Sequence, residues 1–301
     1  MISKKIKELD VKLSYKCNNN CIFCLNKDKR GSESSFEVIK KTVDLFGQNN
    51  GDKLVISGGE PLISKNLFEL LVFARSRNIR IIEIQTNARM LYYEDMVKKL
   101  KEFDPIAFLI SFQFPNNKLY KKYSGTENGF DQTVQGIKNL IKHKLSFFVN
   151  TVVMKPNLAY LEEMVEILKK IGVKKYQYRF IDGRNVFDNY KKFVPRYCES
   201  TPIVENIIEK NKDITIFLRE FPFCVLKKET RNKIYLSLDS ERINLTAQNN
   251  LLTNNEIQSD QFVFPNCNDC FYFKKGCFGI RKEYAKVYGI KEIKPIINKE
   301  N

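Results

Sequence analysis

Hydrophobic and polar positions along this chain follow two alternating rhythms. From about residue 7 to residue 182, short β-branched and aromatic runs alternate with longer stretches whose apolar residues recur every three or four positions. The short runs predict strands at Glu8–Tyr15, Lys53–Ser57, Arg80–Thr86, Ala107–Phe112, Ser146–Val153 and Lys175–Ile181. The longer stretches predict helices. Ser35–Phe46 carries Phe36, Ile39, Val43 and Phe46 on one face, and Lys65–Ser76 carries Leu67, Leu70, Leu71 and Ala74. Glu94–Glu102, Asp131–His143 and Leu161–Lys170 repeat the pattern. Ser35 and Asp131 are the expected N-caps. Strands joined through helices pair in parallel. A closed eight-fold barrel spends about 250 residues on its repeats, and the alternation here stops earlier. The expected fold is therefore α/β, a partial (β/α)6 TIM-like barrel, with a small C-terminal cysteine-rich α+β extension.

Past Asp188 the pattern changes. A helix is expected at Arg196–Asn211 with Ile203, Ile207 and Ile208 inward, then a strand at Ile214–Leu218. Lys233–Leu238 and Arg242–Leu245 predict a hairpin around Asp239-Ser240-Glu241. A short helix at Lys282–Tyr288 closes the folded part, and the polar tail from Lys291 is expected to be loosely held. The domain expectation is residues 1–212 for the barrel, 213–290 for the extension and 291–301 for the tail.

Composition narrows the class. The 301 residues are 43% hydrophobic and include 23 Phe and 14 Tyr, enough for a sizeable core. No apolar run approaches the length of a bilayer span, and the N-terminus lacks the apolar stretch of a secretory signal. A cytoplasmic location is expected, without membrane association. There, eight cysteines point to metal or redox chemistry rather than disulfides. The net charge of +16 comes from lysines scattered over many segments. That distribution favours a solvated basic surface over a nucleic-acid site.

The chemistry concentrates where the first strand ends. Cys17, Cys21 and Cys24 stand at C-x3-C-x2-C spacing in one short loop. Three thiolates there suit a cubic iron–sulfur cluster with its fourth iron open to a chelating ligand. A zinc site would need a fourth ligand, and the single histidine, His143, lies far away at a helix end. At the end of the second strand stands Gly58-Gly59-Glu60-Pro61, where the glycines permit close backbone approach. The third strand ends in Gln85-Thr86-Asn87, the fourth in Ser111-Phe112-Gln113, the fifth in Asn150-Thr151 and the sixth in Arg179-Phe180-Ile181-Asp182. Barrel enzymes place their active sites at these ends.

The cysteine triplet, and the glycine-rich turn one strand later, resemble the radical S-adenosylmethionine (SAM) family. That resemblance implies a 4Fe–4S cluster on Cys17, Cys21 and Cys24 whose open iron is chelated by SAM. An electron from the cluster cleaves SAM to methionine and a 5′-deoxyadenosyl radical, which takes a hydrogen from substrate. It further implies that Gly58, Gly59 and Glu60 hold the SAM amino group and that Phe23 packs on adenine. Ser111, Asn150 and Arg179 are candidates for the ribose and carboxylate of SAM. Asn87 reaches cofactor or substrate, and Gln113 faces substrate. The turn Gln113-Phe114-Pro115-Asn116-Asn117 departs from the acidic or glycine-containing turn of many relatives, which weakens the Ser111 and Gln113 assignments.

A second cysteine set lies late in the chain: Cys267, Cys270 and Cys277, with Cys224 as a fourth. All-cysteine ligation suits an Fe–S cluster or structural zinc. The spacing resembles a reduced SPASM or twitch domain of peptide-modifying radical SAM enzymes, which implies a second, auxiliary 4Fe–4S cluster. It departs from the full seven-cysteine SPASM pattern. It departs too from the molybdopterin-precursor synthases, whose late cysteines are more widely spaced and whose chain ends in a double glycine. Cys198 is left over, expected as a buried small apolar group. The alternative role for Cys198, or for Cys224, is hydrogen-atom donor to a substrate radical. By the resemblance the substrate is a ribosomally made peptide, epimerised or cross-linked. The alternatives are a small molecule (a nucleoside, sugar or amino acid) or a non-enzymatic basic metal-binding protein that contacts RNA. A reductant such as flavodoxin or ferredoxin is implied. Since the first strand begins near residue 8, either a separate leader-peptide-binding protein or direct recognition of the peptide by the barrel is expected.

Overall fold

A computed structural model describes residues 6–233, 240–245, 251–253, 262–265, 267–273, 277 and 279–297. In chain order the strands and helices begin with β1 (Ile6–Ser14), α1 (Phe36–Gln48), β2 (Lys53–Gly58), α2 (Leu67–Ser76), β3 (Ile81–Thr86), α3 (Glu94–Lys101) and β4 (Ile106–Ser111). Next come α4 (Asn117–Ser124), α5 (Gly129–Lys142), β5 (Ser146–Val153), α6 (Leu161–Lys170), β6 (Lys175–Phe180), α7 (Tyr190–Phe193), α8 (Tyr197–Lys210) and β7 (Thr215–Arg219). The described chain ends with β8 (Ser240–Leu245), β9 (Leu251–Thr253), β10 (Phe262–Val263), β11 (Ile280–Arg281) and α9 (Lys282–Tyr288). The α/β class expected from the alternation is the class adopted. Among the described residues, no helix is long and apolar enough to cross a membrane.

Two compact units emerge: residues 1–149 with 238–256, and residues 150–237 with 257–301. In the first, the strand order is β4-β3-β2-β1-β8-β9, parallel except for the antiparallel β8–β9 pair. Alternate residues of β1 divide between two environments. Leu9, Val11 and Leu13 are fully buried apolar groups, whereas Glu8 and Asp10 are buried charges. Those charges pair across strands. Lys53 Nζ lies 3.1 Å from Glu8 and 2.7 Å from Glu83, and Lys12 Nζ donates to Asp10 and, at 2.7 Å, to Ser57 Oγ. Burial of charge is tolerated where each group finds a partner. The i, i+2 run of charges on β1 therefore lines an interior face rather than a solvent face.

Three local readings change. Ser35 caps α1 as expected, its Oγ accepting from Val38 N, but α5 begins at Gly129, so Asp131 sits in its first turn. There the Asp131 carboxylate accepts a hydrogen bond from Asn117 Nδ2. Helix α4 was not foreseen. Asn116 starts it by accepting from Leu119 N at 3.0 Å, which is N-cap chemistry. The expected hairpin is also different. Its strand Lys233–Leu238 falls almost wholly outside the described residues, and β8 pairs in parallel with β1 and antiparallel with β9.

In the second unit the strand order is β7-β6-β5, and β7 pairs in parallel with β6. The strand–helix alternation thus runs one repeat further than the sequence pattern suggested, through α8 and β7. The aromatic residues Phe180, Tyr197, Phe221 and Tyr284 form its core, with Phe180 and Tyr197 ring centroids 4.3 Å apart. The tail is not loose as far as Ile297. Ile296 O accepts from Phe271 N at 2.7 Å, and Glu292 binds Arg196 Nε and Cys198 N.

Candidate functional site

In the first unit the residues after β1, β2 and β3 converge. The cysteine loop is held by main-chain bonds: Asn20 N donates to Ser124 O (2.8 Å) and Ile22 N to Tyr123 O (3.1 Å). Side chains add to this. Arg30 Nη2 donates to Cys21 O at 3.1 Å, and Arg89 donates to Asn18 O, Asn19 Oδ1 and Gln132 Oε1. Two sulfurs accept main-chain N–H groups: Cys17 from Asn19 at 3.3 Å and Cys24 from Asn26 at 3.4 Å. Burial pushes the Cys17 thiol up to about 12, with Glu60, Cys21 and Cys24 adding to the rise against the Asn19 bond. Burial likewise raises Cys21, with Cys24 adding and Ser124 and Arg30 opposing.

The glycine-rich turn is docked directly on this loop. Gly59 N donates to Ser14 O at 2.7 Å and Glu60 N to Lys16 O at 2.8 Å. Asn26 Nδ2 reaches Gly58 O at 2.9 Å. Gly58 has φ +123°, a conformation that favours glycine. A Cβ on Gly59 would stand 2.1 Å from Lys16 O. Glu60 is buried, and its carboxylate accepts from Leu62 N (3.0 Å), Thr86 Oγ1 (2.7 Å) and Asn87 N (2.7 Å). Burial raises its carboxyl above the ordinary range, opposed by those three bonds and by the Arg89 charge. The carboxylate thus ties the β2 turn to the end of β3.

Asn87 is engaged in both directions. Its Nδ2 donates to Asn18 Oδ1 at 2.7 Å and lies 3.9 Å from Cys17 Sγ, while its Oδ1 accepts from Arg89 N. Phe23 is half-buried and meets Phe114 edge-on, with centroids 6.4 Å apart. Ser111 ends β4, half-buried, and Gln113 is buried, its N–H donating to Tyr120 Oη at 3.4 Å. Cys17, Cys21, Cys24, Gly58, Gly59, Glu60 and Asn87 are therefore one contiguous assembly. Arg89 and Asn26, which no sequence motif flagged, hold it together. The one signal for Arg89 was its place two residues past a polar strand end.

In the second unit, Asn150 on β5 accepts from Gln177 Nε2 on β6 at 2.6 Å. Arg179 donates to Glu220 Oε1 at 2.6 Å. Glu220 also receives Arg281, whose other nitrogen lies 3.0 Å from Asp182. Burial would raise the Glu220 carboxyl, but Arg179 and Arg281 outweigh it and hold it at about 2.

Cys224, Cys267, Cys270 and Cys277 line one cavity, together with Phe264, Tyr272, Ile293 and Pro295 among others. Phe223 and Tyr272 stack at 4.2 Å beside them. Cys277 Sγ accepts from Gly279 N and Phe223 N, and Cys224 Sγ accepts from Lys294 N. Burial pushes Cys224 up to about 12 and Cys267 up to about 11, the neighbouring thiols adding to it. Among the described residues, no three His, Cys, Asp or Glu side chains converge as closely as a single metal ion requires. Cys198 is exposed at the start of α8, not buried as expected, and is not part of the cavity lining. His143 caps α5 and pairs with Glu94 at 2.8 Å.

A family model described as Radical SAM superfamily matches residues 11–171. An uncharacterized protein of Methanocaldococcus jannaschii is 30% identical over 76% of this chain and 77% of its own length. A probable GTP 3′,8-cyclase of the same organism is 28% identical over 69% and 68%. Among solved structures, anSMEcpe with bound AdoMet superposes with a TM-score of 0.69 at 16% identity, over 97% of this chain and 93% of that one. Streptococcus suis SuiB bound to precursor peptide SuiA gives 0.63 at 18% identity over 83% of this chain. The chain spans 59% of the length of SuiB. At these identities the structural likeness is one of fold.

Proposed function

This chain belongs to the radical SAM superfamily, and from that premise we propose that it is a maturation enzyme that modifies a ribosomally made peptide by radical hydrogen abstraction. The observation that carries the radical chemistry is the locking of the three-cysteine loop onto the Gly58-Gly59-Glu60 turn. When bound, a 4Fe–4S cluster and SAM supply the reducing electron and the 5′-deoxyadenosyl radical. The donor set fits that cluster: three thiols on one loop, two of them already accepting main-chain N–H groups, which is how Fe–S sulfurs are commonly stabilised.

The chain's own residues orient and exclude. Gly58 and Gly59 let the turn sit directly against the Ser14 and Lys16 carbonyls at the start of the cysteine loop. Glu60 fixes the turn against β3, and the main chain of that turn would hold the SAM amino group. Asn87 bridges the cysteine loop and the third strand end, and Phe23 offers a half-buried ring for adenine. Ser111, at the end of β4 in the same unit, remains a candidate for the ribose or carboxylate of SAM.

In the second unit, Cys224, Cys267, Cys270 and Cys277 would hold an auxiliary 4Fe–4S cluster, closing the site with four thiolates. One zinc ion would draw its sulfurs to about 2.3 Å from a single centre, whereas a cluster spreads them over the corners of a cube. The cysteine spacing supports the cluster, as do the N–H groups aimed at Cys224 and Cys277. The peptide substrate is supported by the fold shared with SuiB, crystallised with its precursor peptide. The test is an anaerobic incubation with SAM, reductant and short precursor peptides encoded beside the gene. A peptide mass change, or deuterium uptake at one α-carbon, is the expected result. The likeness to a GTP 3′,8-cyclase favours a second reading, a small-molecule substrate. Turnover of GTP, with no change in any peptide, would establish it.

A further inference from the structure

Each sulfur of the three-cysteine loop accepts a hydrogen bond, but not from the same source. Cys17 and Cys24 take theirs from main chain two residues further on, Asn19 N and Asn26 N. Those bonds follow from the turns of the loop itself. Cys21 differs: its sulfur accepts from two side chains, the Ser124 hydroxyl and the Asn19 amide. The amide is held in that sense because Asn19 Oδ1 accepts from Arg89 Nη1 at 2.9 Å, which leaves Nδ2 to face the sulfur. Ser124 comes from outside the loop. It is the last residue of α4 and is 1% exposed. Asn20 N donates to Ser124 O at 2.8 Å and Ile22 N to Tyr123 O at 3.1 Å, so the main chain on either side of Cys21 is pinned to this turn. Gly125 then ends the helix at φ +65°, where a Cβ would stand 2.9 Å from Asn20 Cβ. A serine in a helix commonly bonds a carbonyl of its own preceding turn; this one is turned to a sulfur.

We propose that Ser124 is a positioning residue that acts through Cys21 to set the reduction potential of the cluster held by Cys17, Cys21 and Cys24. This rests on the radical SAM reading of the loop. Reduction adds one electron and no proton, and part of the added charge falls on the sulfurs. An O–H aimed at a thiolate stabilises that charge, and hydrogen bonds to the sulfurs are one of the levers on the potential of an Fe–S centre. Burial strengthens the effect and keeps water from taking the place of the hydroxyl. Cys17 and Cys24 draw on main chain that no substitution removes, so Cys21 is the corner where the identity of a side chain decides the potential. Ser124 makes reduction easier, and the cleavage of SAM depends on that reduction.

The test is an anaerobic redox titration with dithionite, followed by EPR, of the reconstituted full-length protein, Ser124→Ala and Ser124→Thr. The signal that changes on adding SAM reports the first cluster and separates it from any second one. Ser124→Ala removes the hydroxyl, whereas Ser124→Thr keeps it. With iron content unchanged, Ser124→Ala is expected to disfavour reduction by about three- to tenfold, the scale of one hydrogen bond to a charged group, or a fall of about 28–59 mV for one electron. Ser124→Thr should stay close to the unaltered protein. A second readout is electron–nuclear double resonance of the reduced cluster before and after exchange into D2O. The unaltered protein and Ser124→Thr should share an exchangeable proton coupling that Ser124→Ala lacks. An unchanged potential in Ser124→Ala would overturn the proposal. So would an equal fall in both variants, which would mark packing rather than the hydroxyl, or the same proton couplings in all three proteins. If the unaltered protein gives no signal that responds to SAM, the radical SAM reading itself fails and the assignment of Ser124 falls with it.

Discussion

Gly59 carries more structural consequence than any charged residue near it. Its N–H bonds Ser14 O, and a side-chain carbon there would meet Lys16 O at 2.1 Å. Backbone cannot move aside as a flexible side chain would, so Gly59→Ala must push the turn off the cysteine loop. Overpacking of this kind costs about 1–3 kcal/mol, and here it falls between two parts of one site. The variant is expected to fold with a lowered thermal midpoint and to take up less than half the iron of the unaltered protein at the first site. Iron analysis, with absorbance near the charge-transfer band, checks both. Wild-type iron content would contradict the close approach described above. The motif residues themselves were legible in sequence because their chemistry is local: three cysteines and two glycines at fixed spacing. Arg89 and Asn26 were not, because each acts on a partner chosen by the fold, Asn18 and Gly58 respectively.

At the scale of elements, the segment after α9 takes a part that its polar composition concealed. Ile293 and Pro295 line the cavity of the four cysteines, Lys294 N bonds Cys224 Sγ, and Ile296 O bonds Phe271 N. Ending the chain at Gly289 removes that wall and that sulfur bond together. Such a truncation is expected to leave the first cluster's SAM-dependent EPR signal in place. Iron at the second site should be lost to a chelator at least several-fold faster. Equal chelation rates would show that the segment does not guard the cavity. The same paired lesson applies to strands and helices. Those with a strong apolar period were readable, as with α1 and α6. Helix α4 was not, because it buries little beyond Tyr120 and Ser124 and announces itself only by its Asn116 cap. The strand β1 shows the reverse case. Its alternating Glu8, Asp10 and Lys12 imitate a solvated face, and only the cross-strand partners Lys53 and Ser57 reveal an interior one.

For the molecule as a whole, acid sensitivity should be set in part by Glu220. Its carboxyl lies at about 2 in the folded second unit, against an ordinary value of 4.5, because Arg179 and Arg281 outweigh the effect of burial. The unfolded chain therefore binds more protons between those values. The resulting stabilisation is complete above about pH 4.5 and is lost as pH falls towards about 2. Denaturant midpoints measured across that window should fall for the unaltered protein. Glu220→Gln should be less stable at neutral pH, because buried Arg281 and half-buried Arg179 each lose a carboxylate partner, and should show a shallower acid decline. Parallel acid limbs in the two proteins would contradict the assignment.

The central claim is that Cys17, Cys21 and Cys24 present a cluster whose open corner takes SAM. The most direct measurement is 5′-deoxyadenosine formation by the anaerobically reconstituted protein with SAM and dithionite, alongside Cys24→Ala. Product is expected from the unaltered protein and none from the variant, whose absorbance should lose the contribution of one cluster. Absence of product from the unaltered protein, together with an unchanged spectrum in Cys24→Ala, would contradict it.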